Sequence, residues 1–450
     1  MVARVDQDVA LMPGNMAIGA TGNPAYAYEC ARISGAELAA LGINLNFAPC
    51  LDVNNNAANP VIGVRSYGED PQLVAELGAA AIRGYQASGV SACAKHFPGH
   101  GDTATDSHHE LPIVPHNAER MNELELVPFR DAVTAGVDAI MTAHVLFPAL
   151  EPSMVPATLS AQVLTGLLRE QLGYNGVIVT DCLEMKAIAD TVGVGPGAVM
   201  AVQAGADLVL VSHRYDRQLE ALHALYDAVK SGEIMEARID ESVRRILKIK
   251  HARSSARPGL QAADIGNDRH RAFAQEVCDH AITLVHAADG VLPLRGDWPT
   301  LVVWPEVRTS SEVDEIIDQK LTLGGALNRG LNSMHELIIG VEPSDQEIAD
   351  VLAQARACRQ IVLATYNAGF AEGQIRLIQA LTKLKQDMYE LERVQLSIIA
   401  VALRNPYDVQ HFLAFDAYLA CYENRPAMLR AAAKVLLGEW EPQGRLPVYL

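Results

Sequence analysis

The sequence predicts an α/β protein: a (β/α)8-type barrel lacking its first strand, followed by a doubly wound α/β sandwich domain. Three observations carry this expectation. Short apolar segments alternate with longer amphipathic ones through the first 250 residues, the pattern of βαβ units and a parallel sheet. Those apolar segments end in polar residues, as barrel strands do where they open onto a site. A glycine-, proline- and polar-rich stretch, SSARPGLQAADIGNDRHR at 254–271, then interrupts the rhythm before a second series of strands begins. The resulting division is a barrel domain over 1–253, a linker over 254–270 and a sandwich domain over 271–450. On pattern alone, an open doubly wound sheet is the structural alternative for the first domain.

In chain order, the segment MPGNMAIGATG (12–22) is loop-like at its Pro13 and Gly14, and regular alternation starts at Pro24. A helix is expected over 25–41, a strand over 43–53 (INLNFAPCLDV), a polar loop carrying Arg65, and a helix over 71–88. The short apolar run VSACA (90–94) reads as the next strand, with Lys95 and His96 at its carboxyl end. Helix 118–135, strand VDAIMTAHVLF, helix 160–172, strand GVIVTD ending at Asp181 and strand GADLVLVSH ending at His213 follow, before a helical run over 218–251. Beyond the linker, strands are expected at LVVWP (301), HELIIG (335), IVLATYN (361), LSIIAVALRNP (396) and FLAFDAYLACY (412), with helices over 346–358 and 425–437. No phosphate-binding glycine motif is present.

The charge balance narrows the partners. With 36 basic and 54 acidic residues the chain carries a formal charge of −18, which disfavours nucleic acid or an anionic membrane as the main partner. No apolar run reaches membrane-spanning length. The seven cysteines are odd in number, scattered and without a C-x-x-C spacing, so they read as small core residues in a reducing compartment, the cytoplasm, and form neither a disulfide framework nor a zinc site.

Chemistry concentrates in KHFPGHGDTATDSHHELP (95–112), where four histidines, three carboxylates and a lysine share eighteen residues broken by glycine and proline. Asp106 and His108 stand two residues apart in it, so a carboxylate is available to orient an imidazole that titrates near neutrality and can donate and accept a proton. A solvated polar loop is the plain alternative. A metal reading would use His96, His100, His108 and His109, but Pro98 and Gly99 forbid the helical pairing of an H-E-x-x-H site. Asp181 closes an apolar strand and has the right form for a nucleophile attacking an anomeric carbon; it also stands three residues before Glu184, the spacing of a helix capping box. Arg65 either forks onto sugar hydroxyls or pairs with Glu69 or Asp70 at the surface.

Taken in order, GINLNFAPCLDVNNNAANPVIGVRSYGEDP, AKHFPGHGDTATDSHHELP, GVIVTDCLEMKAI and AGADLVLVSH, then LRNPYD and LLGEWEPQGRLPV, resemble glycoside hydrolase family 3, and within it the bacterial β-N-acetylglucosaminidase branch. The resemblance spans nearly the whole chain, and the D-x-H dyad after KHFPGHG is that branch's signature. It implies Asp181 as nucleophile, His108 as general acid/base and Asp106 as its orienting partner, with Arg65, Lys95 and His96 holding the sugar. The aspartate at 181 is then both nucleophile and helix cap. The family opens with a strand ending in a D-Q-E-G-G-R-V-x-R segment whose aspartate binds the sugar. The spacing to MPGNMAIGATG aligns Met1 to Arg4 with its last four positions, which makes Arg4 the retained sugar-binding arginine and leaves the first strand and that aspartate out.

The activity so implied is retaining exo-β-N-acetylglucosaminidase action on muropeptides or chitooligosaccharides, with a carbohydrate as partner and no metal or organic cofactor. Two readings stand beside it: a phosphorylase that uses phosphate in place of water, and a non-catalytic sugar-binding protein. Phosphate dependence of turnover separates the first, and ligand-induced thermal stabilisation without turnover identifies the second.

Overall fold

In the computed structural model residues 5, 7–103, 111–254, 264–307, 321–412 and 414–450 are described. They form two compact units: one contains Asp8–Ala10 and Asn23–Asn267, the other Leu11–Gly22 and Asp268–Leu450.

The first unit is built on five described strands: β1 (Leu45–Asn46), β2 (Ser91–Phe97), β3 (Ala139–Thr142), β4 (Val177–Cys182) and β5 (Leu208–Leu210). All neighbours are parallel and their spatial order is their chain order. That order distinguishes the barrel type from the open alternative, because a doubly wound sheet reverses direction at a switch point and this sheet has none. Cys93, Ala139, Met141, Val177 and Val179 pack together on one side of the strands, joined by Ile246 and Ile249 of the helix Glu236–Ser254.

Several expected elements differ in ways with a physical cause. Regular pairing in the strand over 43–53 is confined to Leu45–Asn46, because Pro49 has no N–H to give to a ladder. The chain still runs beside β2: Ser91 N–H donates to Asn44 O (2.8 Å), Cys93 N–H to Ala48 O (2.8 Å) and Leu51 N–H to Lys95 O (2.6 Å). The helix over 118–135 is two helices, Ala118–Glu123 and Val127–Thr134, with Pro128 in the first turn of the second. The run over 218–251 is likewise split, into Tyr215–Ser231 and Glu236–Ser254, by Gly232 in a left-handed conformation.

Asp207, just ahead of β5, shows how the unit is tied together. Its carboxylate is buried and meets Arg169, Arg238 and Arg245, while the Ser242 hydroxyl and the Ile178 N–H also donate to it. Three guanidiniums and two further donors surround one carboxylate, an arrangement that makes a buried charge tolerable.

The second unit carries β6 (Thr283–Ala287), β7 (Thr300–Glu306), β8 (Met334–Gly340), β9 (Gln360–Thr365), β10 (Ser397–Ala402) and β11 (Ala417–Ala420), ordered β6-β11-β10-β9-β7-β8. The five strands from β7 onward are parallel and wind in the order 2-1-3-4-5, a doubly wound sheet with its switch point between β7 and β9. Leu301, Val303, Ile361, Leu363, Ile398 and Ala400 pack on Val351, Leu377 and Leu381 of the helices Asp345–Ala355 and Glu372–Asp387. Their alternates Val302, Trp304, Val362, Ile399 and Val401 are buried too, so both faces are covered. The edge strand β6, antiparallel to β11, was not legible in TLVHA, where Thr283 and His286 leave an apolar run of two residues between them. The segment Leu11–Gly22, placed with the barrel by sequence order, is hydrogen-bonded within this unit: Gly14 N–H donates to Glu423 (3.0 Å), Arg425 to Met12 O (3.3 Å) and Arg445 N–H to Ala20 O (2.8 Å).

Candidate active site

Parallel strands in chain order bring their carboxyl ends to one side, and the polar residues collect there. Lys95 and His96 lie at the carboxyl end of β2, which runs on to Phe97 and does not stop at Ala94; Asp181 is the penultimate residue of β4. Between β1 and β2 the pairing carries Cys50 beside Lys95, so Asp52 arrives level with His96.

Asp52 organises this face. It is fully buried, and one oxygen accepts the backbone N–H groups of His96 (3.1 Å) and His100 (2.7 Å). The other accepts from His96 Nδ1 (2.7 Å) and the Cys50 thiol (3.0 Å). Burial alone would raise its pKa, but the facing His96, its hydrogen bond and His100 outweigh that and hold the carboxyl below its ordinary value. With Nδ1 donating to a carboxylate, His96 has its Nε2 3.5 Å from Arg65 Nη2 and 3.9 Å from Asp181 Oδ2. Burial pushes the His96 pKa down despite Asp52, which favours the neutral ring.

Asp181 is anchored through one oxygen and open through the other. Its Oδ1 accepts the Cys182 N–H (2.8 Å), and among the described residues Oδ2 has His96 at 3.9 Å and no hydrogen bond. Burial works to raise this carboxyl, but His96, His144, Lys95 and the Cys182 amide together hold it below the ordinary range, so it is ionised at neutral pH. Lys95 is shifted down by burial and by Arg65, against the pull of Asp181. Sequence reasoning therefore placed Arg65, Lys95, His96 and Asp181 on one face, and the structure brings them together. Arg4, Asp106 and His108 lie outside the described residues.

The capping role expected for Asp181 is not what it does. Residue 181 is still in the strand, and the helix that follows, Lys186–Ala189, starts after Met185 with no side-chain cap. Glu184 turns away to accept the N–H groups of His213 (2.6 Å) and Arg214 (2.9 Å). Of the four histidines of the metal reading, His96 Nδ1 meets Asp52 and His100 Nδ1 meets Thr103 Oγ1 (2.9 Å), while His108 and His109 lie outside the described residues.

Three supporting residues escaped sequence reasoning. His144, two residues past β3, joins Thr158 (2.8 Å) to the Cys182 carbonyl (3.0 Å) and so fixes the end of β4. Asn59 is buried and donates to His100 O (3.0 Å), Gly101 O (2.9 Å) and Thr103 Oγ1 (3.3 Å), while its own oxygen accepts from Val61 (2.9 Å) and Ile62 (2.8 Å). It thereby clamps the Arg65 loop to the glycine-rich stretch after β2. Gly101 is needed for that approach, since a Cβ there would stand 1.7 Å from Val53 O. A strand-end polar residue was a usable signal for Asp52 and His144; nothing local marks Asn59.

Comparison with known proteins was consistent across the chain. The family description "Glycosyl hydrolase family 3 N terminal domain" matches residues 1–249. The solved β-N-acetylglucosaminidase of glycoside hydrolase family 3 from Paenibacillus sp. str. FPU-7 is 50% identical with a TM-score of 0.93, over 100% of this chain and 84% of that one. Beta-hexosaminidase A of Pseudoalteromonas piscicida is 35% identical over 99% of this chain and 81% of its own length. A beta-N-acetylglucosaminidase/beta-glucosidase of Cellulomonas fimi is 33% identical over 66% of this chain and 55% of its own length.

Proposed function

Since this chain belongs to glycoside hydrolase family 3, we propose that it is a retaining exo-β-N-acetylglucosaminidase that releases terminal β-linked N-acetylglucosamine from muropeptides or chitooligosaccharides. The observation that carries the reading is Asp181, anchored by one oxygen, open at the other and ionised, on the face shared with His96, Lys95 and Arg65. A carboxylate so held can attack an anomeric carbon while the remaining polar groups hold ring hydroxyls.

In the first step the open oxygen of Asp181 bonds to the anomeric carbon as the glycosidic bond breaks, and His108 gives its proton to the leaving oxygen. In the second, His108 takes a proton from water, whose oxygen displaces Asp181 and returns the sugar with its original configuration. Asp106 orients the His108 ring and supports its positive charge. Arg65, Lys95, His96 and Arg4 hold the sugar in the terminal subsite. The acetyl-bearing sugar is drawn from the name of the Paenibacillus enzyme, a beta-N-acetylglucosaminidase.

Acid catalysis by His108 has a kinetic signature. His108→Ala is expected to lower kcat/KM by roughly 10²- to 10⁴-fold for a disaccharide, whose leaving oxygen is basic, and far less for a p-nitrophenyl glycoside, whose leaving group needs little protonation. Parallel assays on the two substrates check this. Equal losses on both would assign His108 to binding.

A further inference from the structure

A thiol, a carboxylate and an imidazole meet where β4 and β5 end. The donor atoms of Cys182, Glu184 and His213 all lie within 4.8 Å of one another. Cys182 Sγ is 3.6 Å from Glu184 Oε2. Two ligands of a tetrahedral zinc ion, bonded at about 2.3 Å for sulfur and about 2.0 Å for oxygen, stand about 3.5 Å apart. Glu184 is held in place by the N–H groups of His213 and Arg214, one on each oxygen, and each oxygen keeps a lone pair for a further partner. Two nearby guanidiniums that would compete for it are turned elsewhere, Arg214 onto Asp216 (2.6 Å) and Arg217 onto Glu220 (2.6 Å). Cys182 and Glu184 are half-buried and His213 is exposed, so an ion can enter from solvent.

We propose that Cys182, Glu184 and His213 bind a divalent cation of the zinc class, with water completing the tetrahedron, and that the bound ion inhibits turnover at the neighbouring Asp181. A thiolate with an imidazole selects zinc-like ions over magnesium or calcium, which prefer oxygen donors alone. Binding exchanges one bond for another: the Cys182 S–H bond breaks, its proton leaves to solvent, and sulfur bonds the metal. The ion adds positive charge one residue from Asp181, which stabilises that carboxylate as an anion and so weakens it as a nucleophile. The site stands on geometry alone, whereas the inhibition rests on the role proposed for Asp181.

Zinc titration of the full chain against a chromophoric chelator is expected to show one bound equivalent with release of about one proton. Cys182→Ser and His213→Ala are each expected to weaken that binding by roughly 100-fold. Cobalt in place of zinc is expected to give a sulfur-to-metal charge-transfer band that Cys182→Ser removes and His213→Ala leaves weaker. On p-nitrophenyl N-acetyl-β-glucosaminide, zinc is expected to inhibit the parent, a chelator to restore it, and His213→Ala to turn over at concentrations of zinc that inhibit the parent. Absence of a stoichiometric site, or binding unchanged in both variants, would overturn the proposal. Zinc bound at these residues with turnover unaffected would overturn the inhibition and leave the site. A metal-free chain that binds zinc but hydrolyses nothing would overturn the activity and not the site.

Discussion

Asp181→Asn protein is expected to fold as the parent does and to lose roughly 10⁴- to 10⁶-fold in kcat on p-nitrophenyl N-acetyl-β-glucosaminide. The fold is spared because the amide oxygen can still accept the Cys182 N–H that anchors the residue. Activity is not, because a neutral amide cannot form and release a glycosyl ester, and the positive surroundings of residue 181 then have no anion to hold. Steady-state assay of the purified variant beside a thermal melt checks both halves. A variant with near-parent turnover would remove Asp181 from the chemistry. One that melts far earlier would make the loss of rate uninformative, and Asp181→Ser would then take its place.

The second large effect lies beneath the site. Asp52→Asn is expected to cost about 3 kcal/mol of stability, as for other buried charged partners, and to lower kcat/KM by roughly 30- to 100-fold. Asn keeps one acceptor for the His96 and His100 amides, but its NH2 faces His96 Nδ1–H, and two donors cannot share that contact. The ring must reverse its tautomer or turn, which changes what Nε2 offers to Arg65 and to a sugar hydroxyl. Because folding depresses the Asp52 carboxyl, its contribution is complete well above its unfolded pKa of about 3.9 and fades as pH falls through that value towards the folded one. The variant is therefore expected to lose less additional stability than the parent on acidification below about pH 4. Denaturant titrations of both proteins across that range test it, and parallel acid profiles would mean that Asp52 is not the group being titrated.

Much of the site was legible because strand ends are marked twice, by an apolar run and by the polar residue that closes it. GVIVTD gave Asp181 in this way, and VSACA followed by Lys95 and His96 gave the neighbouring strand. What escaped depends on partners far away in sequence. Asp52 fell inside the strand expected over 43–53 with nothing to set it apart, and its role emerges only when His96 and His100, 44 and 48 residues on, fold against it. Asn59 sits in a loop of asparagines and is set apart by bonds to carbonyls 41 and 42 residues away. The cap predicted at Asp181 failed for a related reason: the spacing to Glu184 was right, but the strand runs on to Cys182 and Glu184 is taken up by the chain after β5.

The pairing of strands set the larger pattern. Consecutive parallel order made the first sheet barrel-like, and the reversal between β7 and β9 made the second doubly wound, both as the alternation of strand and helix implied. The antiparallel β6 and the association of Leu11–Gly22 with the second unit were hidden because each is fixed by long-range pairing, to β11 and to Glu423, Arg425 and Arg445.

Whether Asp181 forms a covalent bond to the sugar is the central question, and one measurement addresses it most directly. The chain is incubated with a 5-fluoro N-acetylglucosaminyl fluoride, whose ring fluorine slows both steps while its fluoride leaving group keeps formation of the glycosyl-enzyme fast, then digested and mapped by mass spectrometry. The account predicts one added fluoro-sugar per chain, on the peptide containing Asp181, formed as activity disappears and absent in Asp181→Asn. A label on another residue, or turnover of the reagent to an inverted sugar with no label at any time, would contradict it.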